Sequence, residues 1–180
     1  MRQNILTARL LKMLSSRAKL SILFVFLAIV FAPLSSTGSN SPKEGSMSTH
    51  AIGTFDVKIV PQPLSDLETS ASIARFSIGK QLHGDLEATS EGEMLTSGDP
   101  KSGSAVYVAI ERVTGTLRGL SGSFVLQHTA SMTPASQQLL ITVAPDSGTG
   151  QLKGLSGKFV IKIENKQHFY DFEYDLPPSH

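Results

Sequence analysis

The chain has 180 residues, enough for one domain and a leader, and it contains neither cysteine nor tryptophan. The missing cysteine excludes disulfide scaffolds, thiolate nucleophiles and Cys-ligated zinc. The formal charge of +1 hides an asymmetry: residues 1–46 hold six Lys or Arg against Glu44, a net +5, and the remainder holds ten against fourteen Asp or Glu, a net −4. A domain at −4 with scattered bases lacks the electrostatic footprint of a nucleic-acid binder.

Arg2, Arg9, Lys12, Arg17 and Lys19 precede the uncharged run LSILFVFLAIVFA (20–32). Thirteen residues are too few for a spanning helix, which needs about 20. A basic flank before a short apolar run predicts a secretory signal, with no stable membrane span once it is removed. PLSSTGSNSPKEGS (33–46) reads as cleavage region and linker. The expected organisation is therefore a leader over 1–46 and a single domain over 47–180, exported to a periplasm or beyond. The competing reading is translation from Met47 and a cytoplasmic protein.

From Thr49 the hydrophobic period is two, with turn residues between runs. AIGTFDVKIV (51–60) ends at Pro61 and Pro63. ASIARFSIGKQL (71–82) puts Ala74, Phe76 and Ile78 on one face. DLEATSEGEML (85–95) alternates Leu86, Ala88, Ser90, Gly92 and Met94 with an acidic face that includes Glu87. SGDPKSG (97–103) is a turn cluster. AVYVAIERV (105–113) is apolar on both faces, the pattern of a strand covered on two sides. GSFVLQHTASM (122–132), SQQLLITVA (136–144), KFVIKIE (158–164) and HFYDFEYDL (168–176) complete the set. Eight strands and no convincing helix predict an all-β barrel or sandwich. An eight-stranded closed barrel has room for side chains or for one small ligand.

TGTLRGLSGSFVLQ (114–127) matches TGQLKGLSGKFVIK (149–162) at an offset of 35 residues. The expected role is a bend entering a strand, with Leu117 and Leu120 packing inward and Phe124 starting the next strand in the core. A phosphate loop is disfavoured, because the glycine spacing misses the dinucleotide fingerprint and no helix follows.

Five segments together carry a family resemblance: MSTHAIGTFDVK, HGDLEATSEGEML, IERVTGTLRGLSGSFVLQHTA, DSGTGQLKGLSGKFVI and HFYDFEYDL. From Met47 to about Leu176 the chain resembles the small bacterial proteins known only as domain of unknown function 3224. The resemblance implies an eight-stranded antiparallel closed barrel with a central cavity, like that of allene oxide cyclase and the dirigent proteins. It implies no catalytic residue and no cofactor.

Ser121 and Ser156 do not sit in a Gly-x-Ser-x-Gly elbow, and the five histidines lack zinc-ligand spacing, so no metal is expected. The remaining candidates are polar groups that strand alternation can aim into a barrel. Glu111, beside Arg112 in an apolar strand, is expected either to pair with an arginine or to carry a raised pKa. Tyr107 shares its face, and His128 shares one with Phe124 and Leu126. Glu111, His128 and Tyr107 are the catalytic candidates; Tyr170, Tyr174, His168, Glu87 and Arg112 are the ligand-binding candidates. For each, the plainer alternative is core packing, a structural pair or a solvated face. Three functions remain in view: a binding module for a small apolar or amphipathic ligand, an isomerase or cyclase, and a homo-oligomeric interaction protein with a filled barrel.

Overall fold

The structure, a computed structural model, describes residues 48–177. The leader and linker expected over 1–46 lie outside the described residues. The fold is a closed antiparallel barrel in which each strand pairs with its sequence neighbours and β8 returns to β1. Its strands are β1 (Thr49–Pro61), β2 (Ile73–Gly84), β3 (Leu86–Asp99), β4 (Ser104–Leu117), β5 (Leu120–Thr133), β6 (Ser136–Val143), β7 (Ser156–Glu164) and β8 (Gln167–Asp175). Closure gives every strand a partner on both sides, the β6–β7 seam being held by a single register pair.

Two elements depart from the sequence expectations. A one-turn helix, α1 (Asp66–Ser70), follows β1. Ser65 Oγ accepts from the Glu68 N–H at 3.2 Å, and Glu68 Oε2 accepts from the Ser65 N–H at 2.6 Å. This reciprocal cap was visible as Ser-Asp-Leu-Glu. β3 and β4 also run further than their hydrophobic signal. They pair from Leu86 with Leu117 to Asp99 with Ser104, so the turn cluster shrinks to the 3₁₀ turn Pro100–Ser102. Backbone pairing needs no apolar side chains, and the Gly and Thr positions at the strand ends concealed it.

The end of the barrel holding the β4–β5 turn is called the lower end. It is filled by Phe55, Leu86, Leu117, Phe124, Leu152 and Phe172, all nearly inaccessible. Each such side chain contributes about 1.5–3 kcal/mol by leaving water. Phe172 anchors the layer, stacking on Phe124 at 5.6 Å and on Tyr174 at 5.3 Å. A second apolar cluster, Phe76, Ile78, Met94 and Ala109, lies toward the upper end.

The two Gly-Leu-Ser-Gly segments supply the lower floor by different routes. In the first, Arg118 and Gly119 both have positive φ, 46° and 83°, between the paired Leu117 and Leu120. That is the two-residue hairpin turn whose twist matches the flanking strands. In the second, a 3₁₀ turn (Gly150–Leu152) replaces the incoming strand, and of the pair matching Arg118 and Gly119 only Gly154 has positive φ, 81°, while Lys153 lies at −62°. The second segment lies along β5, where the Thr149 N–H donates to the Ser123 carbonyl at 2.8 Å. Leu117, Phe124, Leu152, Leu155 and Phe159 are all buried, and Leu120 is partly buried.

β4 is covered on one side only among the described residues. Its inward row is buried or half-buried, but Val106, Val108 and Ile110 on the outer face are 51%, 52% and 66% exposed. This corrects the expectation of a doubly covered strand.

Candidate functional site

Strand alternation brings four polar side chains inward at mid-depth, between the two apolar clusters: Lys80 (β2), Ser90 (β3), Glu111 (β4) and His128 (β5). They are 8%, 3%, 1% and 5% exposed. Glu111 is the hub. Its Oε1 accepts from Lys80 Nζ at 2.5 Å and lies 3.1 Å from His128 Nε2; its Oε2 accepts from Ser90 Oγ at 3.1 Å. Lys80 Nζ also sits 5.4 Å from the centroid of the Phe55 ring, the cation–π arrangement.

Strand register makes this hub. Lys80 and Glu111 belong to strands separated by β3, where Lys80 pairs with Ser90 and Glu111 pairs with Gly92. Gly92 occupies an inward position without a side chain. A Cβ there would stand 2.6 Å from Glu111 Cβ and 2.1 Å from the Ile110 carbonyl oxygen, so only glycine lets β4 approach this closely.

The electrostatics follow from burial and contact. Burial opposes ionisation of Glu111. The Lys80 charge and the His128 contact outweigh it and hold the carboxyl at about 2. Glu111 is therefore a carboxylate across the physiological range, and it pairs with Lys80 instead of an arginine. The alternative of a raised pKa does not hold. His128 is held below the ordinary imidazole value, first by burial and then by the Lys80 charge, against the Glu111 hydrogen bond. Tyr107 is pushed well above the usual phenol value by burial and by the Glu111 carboxylate.

The other sequence candidates divide by face. His168 points inward from β8 and stacks on Phe55 at 4.9 Å. Burial lowers its pKa; Asp56 partly offsets this, and Lys80 adds to it. Tyr170 is buried with its hydroxyl committed, accepting from the Leu86 N–H at 2.9 Å and donating to the His83 carbonyl at 3.2 Å. Tyr174 is a stacked core ring. Arg112 and Glu87 face outward: Arg112 donates to Ser123 Oγ at 3.3 Å, and Glu87 Oε1 accepts from the Gly84 N–H at 2.7 Å. The structure thus brings Glu111 and His128 together and leaves Arg112 and Glu87 outside. It adds Lys80 and Ser90, which sequence reasoning missed. The signal for Lys80 was its parity with Phe76, Ile78 and Leu82, a lysine on the apolar face of a strand.

β6 and β7 are in register at one pair, Thr142 with Lys158, and part above it. A cavity of about 830 Å³ occupies this parting, with Leu139, Phe159, Ile161, Ile163 and Tyr170 among its walls. These five are inward positions of β6, β7 and β8; Lys158, Val160, Lys162, Glu164, Phe169 and Asp171 complete the lining, so the cavity opens along the seam with charged groups among its walls. The polar hub is not among its walls: on β5, His128 is one inward step below Ala130, which pairs with Leu139.

Residues 51–174 match the family described as protein of unknown function, DUF3224. The chain is also similar to a crystal structure from Shewanella oneidensis, a DUF3224 protein of unknown function. Identity is 44% over 73% of this chain and 99% of that one, with a TM-score of 0.67. Among curated proteins, none matches this chain. With the family match covering most of its length and the same fold in a relative of this identity, the chain belongs to the DUF3224 family.

Proposed function

We propose that the barrel is a binding module that takes a small apolar or amphipathic molecule into its upper interior through the β6–β7 seam. The observation that carries this reading is the cavity of about 830 Å³ walled by Leu139, Ile161 and Ile163. Its size falls within the range of about 300–1,000 Å³ typical of small-molecule sites, and its walls combine apolar side chains with the charged Lys158, Lys162, Glu164 and Asp171, which suits an amphipathic occupant. The lower end is packed solid, so the ligand occupies the upper half only. Titration with the fluorescent probe anilinonaphthalene sulfonate tests the reading. The wild type binds it, and Leu139→Trp, which fills the mouth of the cavity, loses binding while remaining folded. Equal binding by both proteins refutes the proposal.

A second reading, an isomerase or cyclase, is supported by the meeting of Glu111 and His128, with Tyr107 on the Glu111 face. Fold analogy adds little to it. Glu111 is too acidic to take a proton near neutrality, so His128 would be the base. An activity left unchanged by both Glu111→Gln and His128→Ala removes this assignment. The exposed Val106, Val108 and Ile110 supply the observation behind a self-associating surface. A strict monomer by light scattering at high concentration removes that one.

A further inference from the structure

β6 and β7 share the single register pair Thr142–Lys158, yet each continues as a regular strand above it. β6 is paired along its whole length with β5, and β7 with β8. The two sides of the seam are therefore intact hairpins, β5–β6 and β7–β8, joined at their base. The segment that links them there is tied to β5: the Ala144 N–H donates to the Val125 carbonyl and the Thr149 N–H to the Ser123 carbonyl, both at 2.8 Å. Moving the hairpins apart or together above this base breaks no pair inside either one.

The facing edges are matched for closure. Stepped upward from Thr142–Lys158, the register ends with Ser136, the first residue of β6, opposite Glu164, the last of β7. Neither strand overhangs the other. On the way it sets Leu139 against Ile161 on the inner face and Leu140 against Val160 on the outer. Face parity is therefore kept, whereas a slip of one residue would oppose inner and outer side chains. Leu140 and Val160 are both exposed while the strands are parted, and pairing would bring them together. Two edges of equal length and matched parity, each with a row of backbone groups the other could satisfy, are the halves of one ladder.

We infer that the seam is a gate. β6 and β7 zip along the Thr142–Lys158 register up to Ser136–Glu164 and close the cavity that lies in their parting; a ligand in the cavity holds them apart. Ligand and ladder compete for the same space, so each disfavours the other. The gate rests on the cavity-binding reading and adds a closed state to it.

The chain has no cysteine, so two introduced thiols report on each other alone. Gln138→Cys/Lys162→Cys places one on each strand at exposed positions that come opposite each other only when the seam is zipped. Thr142→Cys/Lys158→Cys marks the base. Both pairs lie on the outer face of the same ladder, an even step apart, so they share one hydrogen-bonding class and one disulfide geometry. With oxidised glutathione, mass spectrometry is expected to show an internal disulfide in both variants. Anilinonaphthalene sulfonate at about ten times its Kd is expected to slow the upper crosslink about ten-fold and to leave the base crosslink unchanged. The oxidised upper variant should lose the probe and regain it on reduction, with circular dichroism unchanged throughout. An upper pair that stays reduced while the base pair oxidises overturns the gate and leaves the cavity reading standing. An upper crosslink that forms at the same rate with the probe bound overturns it too. Failure of wild type and of both reduced variants to bind the probe removes the cavity reading and the gate together.

Discussion

Among the described residues, Glu111→Gln removes the one negative charge in contact with Lys80 in the barrel interior and leaves that buried lysine without this counter-charge. The magnitude can be reached from two sides. Breaking a buried pair by deleting one partner costs about 3–5 kcal/mol. Independently, a carboxyl held at about 2 instead of 4.5 contributes about 3 kcal/mol at neutral pH. The assay is urea unfolding followed by circular dichroism at pH 7. The expected loss is about 3 kcal/mol, and the double variant Lys80→Met/Glu111→Gln is expected to recover at least half of it, because no buried charge then remains unpaired. The pH dependence fixes the sign. A depressed carboxyl pKa gives stability that is complete above 4.5 and lost as pH falls through about 2. The gap between wild type and variant should therefore narrow to about half by pH 3. A loss under about 1 kcal/mol, or a gap that stays constant with pH, would refute the reasoning.

Further outcomes follow from the same geometry. His128 and His168 are both depressed below 6.5, so at these two sites the unfolded chain takes up protons first and their contribution to stability falls as pH drops below that value, against the raised His50; relative to wild type, His128→Phe should lose less stability between neutral pH and the Glu111 limb in a pH series of unfolding midpoints. Tyr170→Phe strips the partner from the buried Leu86 N–H and should cost about 1–3 kcal/mol in urea unfolding, with the cavity wall intact. Gly119→Ala meets nothing within 4 Å, so its expected cost of about 1–2 kcal/mol comes from positive φ alone; Gly119→Asn should cost less, since Asn tolerates that conformation.

The fold was legible because alternation survives in most strands, β4 with its apolar outer face excepted, and because Pro and Gly punctuate them. The segments HFYDFEYDL and GSFVLQHTASM place Tyr170, Phe172, Phe124 and His128 inward on period alone. The hub was only half legible. Glu111 and Arg112 are neighbours in sequence, which suggested a pair, yet a period of two sends them to opposite faces. The true partner comes from β2, two strands away, and its arrival depends on the β2–β3 and β3–β4 registers and on a glycine at position 92. No local window contains that information. Lys80 was obscured by its neighbours Gly79 and Gln81, which make the end of β2 look like a polar turn. The second Gly-Leu-Ser-Gly segment shows the same limit. Its sequence matches the first, but its incoming residues meet β5 and become a 3₁₀ turn instead of a strand.

The central claim is that ligands enter the upper interior at the β6–β7 seam. Methyl-labelled Ile, Leu and Val spectra during a titration with 1-octanol test it most directly, because inner and outer walls report separately. The account predicts saturable shifts at Leu139, Ile161 and Ile163, with Val106, Val108 and Ile110 on the outer face of β4 unmoved. Shifts confined to the outer β4 methyls, or none at the three inner ones, would contradict it.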